Sequence, residues 1–143
     1  MTPLALVVDD EDSIRELIEV TLQMEGYRTL GAPDGPTALQ LAKNNRVDVV
    51  TLDIMMPGMD GWEVAQHLGR DAWTRDVPIV VVSGKPLVEL DAAPGRSLAT
   101  AVLSKPFDFA TFVEVVADAV AARVHQLPQQ RPAADDVPSR VRT

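Results

Sequence analysis

Val47-Asp48-Val49-Val50-Thr51-Leu52-Asp53, followed by Ile54-Met55-Met56-Pro57-Gly58-Met59-Asp60-Gly61, decides the fold. The apolar run is short and rich in β-branched residues, which reads as a strand buried on both faces, as in parallel sheets. The Pro-Gly and Asp-Gly pairs behind it force a loop. Asp53 therefore stands at the carboxyl end of a buried strand, where open α/β sheets place their chemistry. Two other strand ends agree. Leu4-Ala5-Leu6-Val7-Val8 runs into Asp9-Asp10, and Ala101-Val102-Leu103-Ser104 runs into Lys105-Pro106-Phe107.

Outward from these three ends, short apolar runs alternate with helical patterns, the signature of βαβ units. Strands are predicted at Leu4–Val8, Tyr27–Leu30, Val47–Leu52, Ile79–Val82 and Ala101–Ser104. Ser13-Ile14-Arg15-Glu16 has capping-box form and predicts a helix start, with Ile14, Leu17, Ile18 and Leu22 on one face and Gly26 ending it. Further helices are predicted from Pro36 to Asn44, from Gly61 to Arg70, and after Asp108 as N-cap, with Phe109, Phe112, Val113, Val116 and Val120 on one face. The fourth crossover is broken by Pro86 and Pro94-Gly95, so at most two helical turns fit, around Leu87 to Ala93. The expected fold is a doubly wound five-stranded parallel sheet of the flavodoxin-like type, with a short or irregular fourth helix.

The chain has 143 residues, enough for one domain, and 46% hydrophobic content supports a core of Val, Leu, Ile, Ala and Met. With no cysteine, a disulfide framework, a thiol nucleophile and a zinc–thiolate site are excluded. The net charge of −8 is uneven: residues 1–126 hold 10 basic and 19 acidic groups, and residues 127–143 hold three and two. So acidic a body argues against non-specific nucleic-acid binding. The amino terminus lacks the pattern of a signal peptide and no stretch has membrane-span length, so the expected compartment is the cytoplasm. From Leu127 onward three prolines and no apolar periodicity predict a disordered tail over 127–143, with the folded domain ending at 126.

Phosphoryl transfer to a carboxylate needs a nucleophilic carboxylate, neutralisation of the phosphoryl oxygens and a divalent cation between them. Asp53 is the candidate nucleophile. Asp9 and Asp10 are candidate metal ligands, because carboxylates crowded together repel unless a cation sits among them. Oxygen-only ligands suit Mg²⁺. Lys105 offers a point charge for the phosphoryl group, and Ser83, ending Ile79-Val80-Val81-Val82-Ser83, offers a hydroxyl.

This set, in this order, resembles the receiver domain of two-component response regulators over about Pro3 to His125. The resemblance implies that Asp53 is the phospho-acceptor, Asp10 a direct Mg²⁺ ligand and Asp9 a ligand acting mainly through water, with the Met55 carbonyl completing the metal set. It implies that Ser83 fills the Thr/Ser switch position, that Lys105 is the family's lysine, and that Lys105-Pro106 is a cis peptide. It further implies the strand order 2-1-3-4-5 and a phosphoryl donor that is a histidine kinase, a histidine phosphotransfer protein or a small acyl phosphate. The domain would act as a switch, not a metabolic enzyme. The downstream partner is a protein not named by the sequence, with a second copy of the chain as one candidate and neither nucleic acid nor membrane expected.

Two departures bear on signalling. The slot three residues before the lysine, usually Tyr or Phe in receivers, holds Val102, so the familiar hydroxyl–aromatic coupling cannot operate in its usual form. The family's fourth helix contributes to its dimerisation and output face, and here that helix is short. Both departures favour the competing reading, a phosphorylation-independent interaction module. A phosphatase of the haloacid dehalogenase type is disfavoured, because Met55 stands where that family has its second aspartate. Asp60 reads as a turn residue and His67 as a solvated helix position.

Overall fold

The computed structural model describes residues 2–130 of the chain. Five strands, β1 (Leu4–Val8), β2 (Arg28–Ala32), β3 (Val49–Asp53), β4 (Ile79–Ser83) and β5 (Ala101–Ser104), form one sheet in the order β2-β1-β3-β4-β5. All four neighbouring pairs are parallel. The helices are α1 (Asp12–Met24), α2 (Gly35–Asn44), α3 (Gly61–Arg70), α4 (Leu87–Ala92) and α5 (Phe109–Gln130), with a 3₁₀ turn at Arg96–Leu98. The doubly wound, flavodoxin-like fold is as expected.

Side-chain alternation along the central strands builds two apolar layers. Leu4, Leu6 and Val8 of β1, Val50 and Leu52 of β3, and Ile79 and Val81 of β4 face α2, α3 and α4. Ala5, Val7, Val49, Val80 and Val82 face α1 and α5, where Ile18, Leu22, Phe112 and Val116 close the second layer. Every residue of β1, β3 and β4 is buried, which is why their sequences read as continuous apolar runs.

Several boundaries differ from the sequence reading. Helix α1 starts at Asp12, with Glu11 as N-cap and no side-chain cap, so the capping box at Ser13 does not form. The Asp9 carboxylate accepts the Glu11 N–H (2.9 Å) before the helix, and Asp12 pairs with Arg15 (2.7 Å). A negative charge in the first turn suits the helix dipole. Strand β2 lies at Arg28–Ala32, because its pairing with β1 matches Leu4 to Arg28 and Val8 to Ala32. Asp48 precedes β3, and its carboxylate accepts the Leu4 N–H (2.8 Å), pinning the start of β1. Helix α4 has six residues, within the two turns expected. Helix α5 runs to Gln130, four residues beyond the boundary at 126. The rest of the segment expected to be a disordered tail, 131–143, lies outside the described residues.

Candidate functional site

The strand ends of β1 and β3 bring the acids together. Pairing of β1 with β3 aligns Val8 with Leu52, so Asp9 and Asp53 are the next residues on adjacent strands. Pairing of β3 with β4 aligns Asp53 with Val82, which puts Ser83 one step further along the same edge. Carboxylate oxygens of Asp9, Asp10 and Asp53 all lie within 4.8 Å of one another. Asp9 and Asp53 are buried and Asp10 is exposed, so the cluster opens to solvent on one side.

Lys105 reaches this cluster from the end of β5. Its Nζ lies 3.1 Å from Asp9 Oδ2 and 4.0 Å from Asp53 Oδ2. The Lys105-Pro106 peptide is cis, as the resemblance implies. Asp9 is further fixed from the backbone: Arg15 Nη1 donates to its carbonyl (2.9 Å), in addition to the Glu11 N–H on its carboxylate. The Met55 N–H donates to Asp53 Oδ1 (3.3 Å), which orients that carboxylate from the loop behind β3. The Met55 side chain is half exposed above the loop.

Burial dominates the electrostatics of Asp53 and pushes its carboxyl up from 3.8 to about 6. Lys105 pulls the other way, Asp9 adds to the rise, the Met55 N–H opposes it, and Asp10 raises it slightly. A carboxylate held at this cost among two others is the arrangement a divalent cation relieves. The donors are all hard oxygens with an open, solvated side, and this set fits Mg²⁺ better than a soft transition metal.

Helix α3 holds the loop behind Asp53. Asp60 is its N-cap and forms a full capping box with Glu63: the Glu63 N–H donates to Asp60 Oδ1 (3.0 Å), and the Asp60 N–H donates to Glu63 Oε1 (3.1 Å). Asp60 is therefore a helix cap within the turn. Gly61 packs directly on the Asp53 carbonyl and the Ile54 backbone, and a Cβ there would collide with both. His67 is exposed, as expected.

Sequence reasoning names every acid of the cluster, the lysine and the serine. It misses the Arg15 contact to Asp9 and the contacts around Lys85. The Ser83 hydroxyl accepts the Lys85 N–H (3.3 Å), and the Ser104 hydroxyl donates to the Lys85 carbonyl (2.8 Å). The Lys105 N–H also donates to the Ser83 carbonyl (2.7 Å), so the ends of β4 and β5 are tied together. Val102 pairs with Val81 in the β4–β5 ladder and packs on the layer facing α2 to α4.

A family model described as response regulator receiver domain matches residues 5–117. The chain is 40% identical over 113 residues to the response regulator PleD of Caulobacter vibrioides, covering 76% of this chain and 24% of PleD. It is 33% identical over 127 residues to the DNA-binding dual master transcriptional regulator RpaA of Synechocystis, covering 89% of this chain and 52% of that protein. The chain thus spans about a quarter to a half of these curated relatives. Among solved structures, the Vibrio cholerae chemotaxis protein CheY4 superposes with a TM-score of 0.77 at 32% identity, over 83% of this chain and 99% of its own. The Thermotoga maritima response regulator TrrA, solved in complex with Mg²⁺ and beryllofluoride, gives 0.76 at 33% identity, over 82% and 99%. With the matching sheet order and the acid cluster at the strand ends, these likenesses show that the chain belongs to the receiver domain family of two-component response regulators.

Proposed function

We propose that the chain is a phosphorylation-activated receiver that takes a phosphoryl group on Asp53 and signals by binding another protein. The observation that carries this reading is the packing of three carboxylates within 4.8 Å beside the Lys105 ammonium. A carboxylate oxygen of Asp53 attacks the donor phosphorus, the bond from phosphorus to the donor nitrogen or oxygen breaks, and an acyl phosphate forms. Lys105 pairs with one phosphoryl oxygen and the Ser83 hydroxyl donates to another. Asp9, Asp10, Asp53 and the Met55 carbonyl would hold Mg²⁺, which when bound supplies positive charge between the carboxylates and the phosphoryl oxygens.

Receiver domains take phosphoryl groups from histidine kinases or histidine phosphotransfer proteins. An apolar groove beside Lys105 supports such a donor here. Ile14, Leu17 and Ile18 of α1 line it with Pro106, Phe107 and Phe109, and Leu17 and Phe109 are exposed. It suits an amphipathic helix that carries the donor histidine. Leu17→Asp is expected to slow transfer from the cognate kinase while leaving phosphorylation by acetyl phosphate at the wild-type rate.

Intact mass after incubation with acetyl phosphate and Mg²⁺ tests the function. Wild type should gain one phosphoryl group and Asp53→Asn none. The competing reading, a phosphorylation-independent interaction module, draws on Val102; it requires partner binding that is equal with and without acetyl phosphate.

A further inference from the structure

Val102 lacks the ring through which receivers usually relay engagement of the switch hydroxyl, yet the structure holds another connection from Ser83 to α4. We propose that Ser104 is a positioning residue of the switch: through the backbone of Lys85 it links movement of the Ser83 hydroxyl to the first turn of α4. The proposal rests on the reading of Asp53 as phosphoryl acceptor and goes beyond it.

Ser83 and Ser104 are paired at the ends of β4 and β5. Both hold Lys85, Ser83 through the Lys85 N–H (3.3 Å) and Ser104 through the Lys85 carbonyl (2.8 Å). A hydroxyl offers one donor and two acceptor sites. In Ser83, which is fully buried, an acceptor site is used, and among the described residues no protein acceptor takes the O–H. A phosphoryl oxygen on Asp53 can take it. Drawing Oγ toward Asp53 must then carry Lys85 N–H along or release it, while Ser104 anchors the other side of the same residue to β5. The Lys85 backbone therefore has two arrangements, bridged between both serines or held by Ser104 alone.

Pro86, the next residue, makes this consequential. Its φ is fixed at −58° by the ring, and its carbonyl accepts the N–H of Glu89 (3.0 Å) and Leu90 (3.1 Å), which makes it the first acceptor of α4. A rotation at Lys85 is thus passed by a stiff residue to the helix start. Helix α4 has six residues and a single buried anchor, Leu90, so little resists its displacement. Leu87 and Val88, 48% and 74% exposed, ride on its outer side as the surface a partner would read.

The test combines intact mass with backbone amide NMR of the full chain, for wild type, Ser104→Ala and Ser104→Thr. Acetyl phosphate with Mg²⁺ reports acceptance, and beryllofluoride with Mg²⁺ supplies a steady phosphoryl mimic. Ser104→Ala should gain the phosphoryl mass as wild type does, and its Ser83 and Gly84 amides should still respond to beryllofluoride. Its Glu89 and Leu90 amides should respond about threefold less than in wild type, reflecting loss of one tethering hydrogen bond. Ser104→Thr, which keeps the hydroxyl, should restore the response. A wild-type-sized response of Glu89 and Leu90 in Ser104→Ala would overturn the proposal, since a merely structural serine alters the starting spectrum but not the response. Absence of any mass gain in wild type would overturn the acceptor reading, and this proposal with it.

Discussion

Asp53 carries opposing demands. As the proposed phosphoryl acceptor it would have to be ionised to attack, yet burial raises its carboxyl from 3.8 to about 6. Between these values the folded chain holds a proton that the unfolded chain has lost, so stability falls as pH rises. The favourable contribution is complete below about pH 4 and lost as pH passes 6. Asp53→Asn should therefore raise the unfolding free energy at pH 7 without Mg²⁺ by about 1–2 kcal/mol, a range discounted for partial solvent screening. The gain should vanish at pH 4. Urea titrations at the two pH values measure both, and adding Mg²⁺ should stabilise wild type but not the variant. A second residue in β3 makes an independent prediction. Thr51 Oγ1 is buried and has no hydrogen-bond partner among the described residues. Thr51→Val keeps the shape and removes an unsatisfied group, so it should stabilise the chain by about 1 kcal/mol. The candidate site groups are legible in the sequence, because Asp9, Asp10, Asp53, Ser83 and Lys105 stand at the ends of apolar runs. The Arg15 contact to Asp9 and the Ser104 contact to Lys85 are not. They join a side chain to a carbonyl in another turn, and no spacing rule marks such pairs.

The elements that position the site obey local rules where those rules act alone. Strands β1, β3 and β4 are buried along their whole length, and their apolar runs place each within two residues of its observed ends. The pattern of β2 places it early because its burial is partial, and its register is set by β1, not by its own residues. Helix α1 starts one residue before Ser13, and the Arg15 N–H already donates to the Glu11 carbonyl, so Ser13 lies inside the helix and not at its cap. A glycine shows how one element constrains the site. At Gly61, where α3 begins, a Cβ would meet the Asp53 carbonyl and come within 2.7 Å of Ile54 Cα. Gly61→Ala should destabilise the fold by about 1–3 kcal/mol through overpacking. It should also slow phosphorylation by acetyl phosphate, because the backbone of Asp53 must shift to make room. Thermal unfolding and the rate of phosphoryl-mass gain report the two effects separately.

For the whole molecule, two apolar layers lock a parallel sheet whose carboxyl edge carries the acid cluster. Phe112, fully buried on the α5 side, touches Phe107 at a ring-centroid distance of 5.3 Å and so connects the core to the loop after Lys105. Phe112→Ala should cost about 3–5 kcal/mol in unfolding free energy by denaturant titration. The order of the elements and the position of the edge are legible because a parallel sheet needs long apolar runs separated by crossovers. How far α5 extends is not, since helix ends depend on packing more than on composition, and the loss of apolar periodicity at Leu127 precedes the helix end at Gln130. Among the described residues no helix is long and apolar enough to cross a membrane.

Of the 21 acidic side chains, Asp53 is the one proposed to accept the phosphoryl group. Borohydride reduction of the acetyl phosphate-treated protein, followed by peptide mass mapping, tests it most directly, because reduction converts an aspartyl phosphate to homoserine. Homoserine is expected at position 53 alone, dependent on Mg²⁺. Homoserine at another aspartate, or an unmodified position 53 in protein that has gained phosphoryl mass, would contradict it.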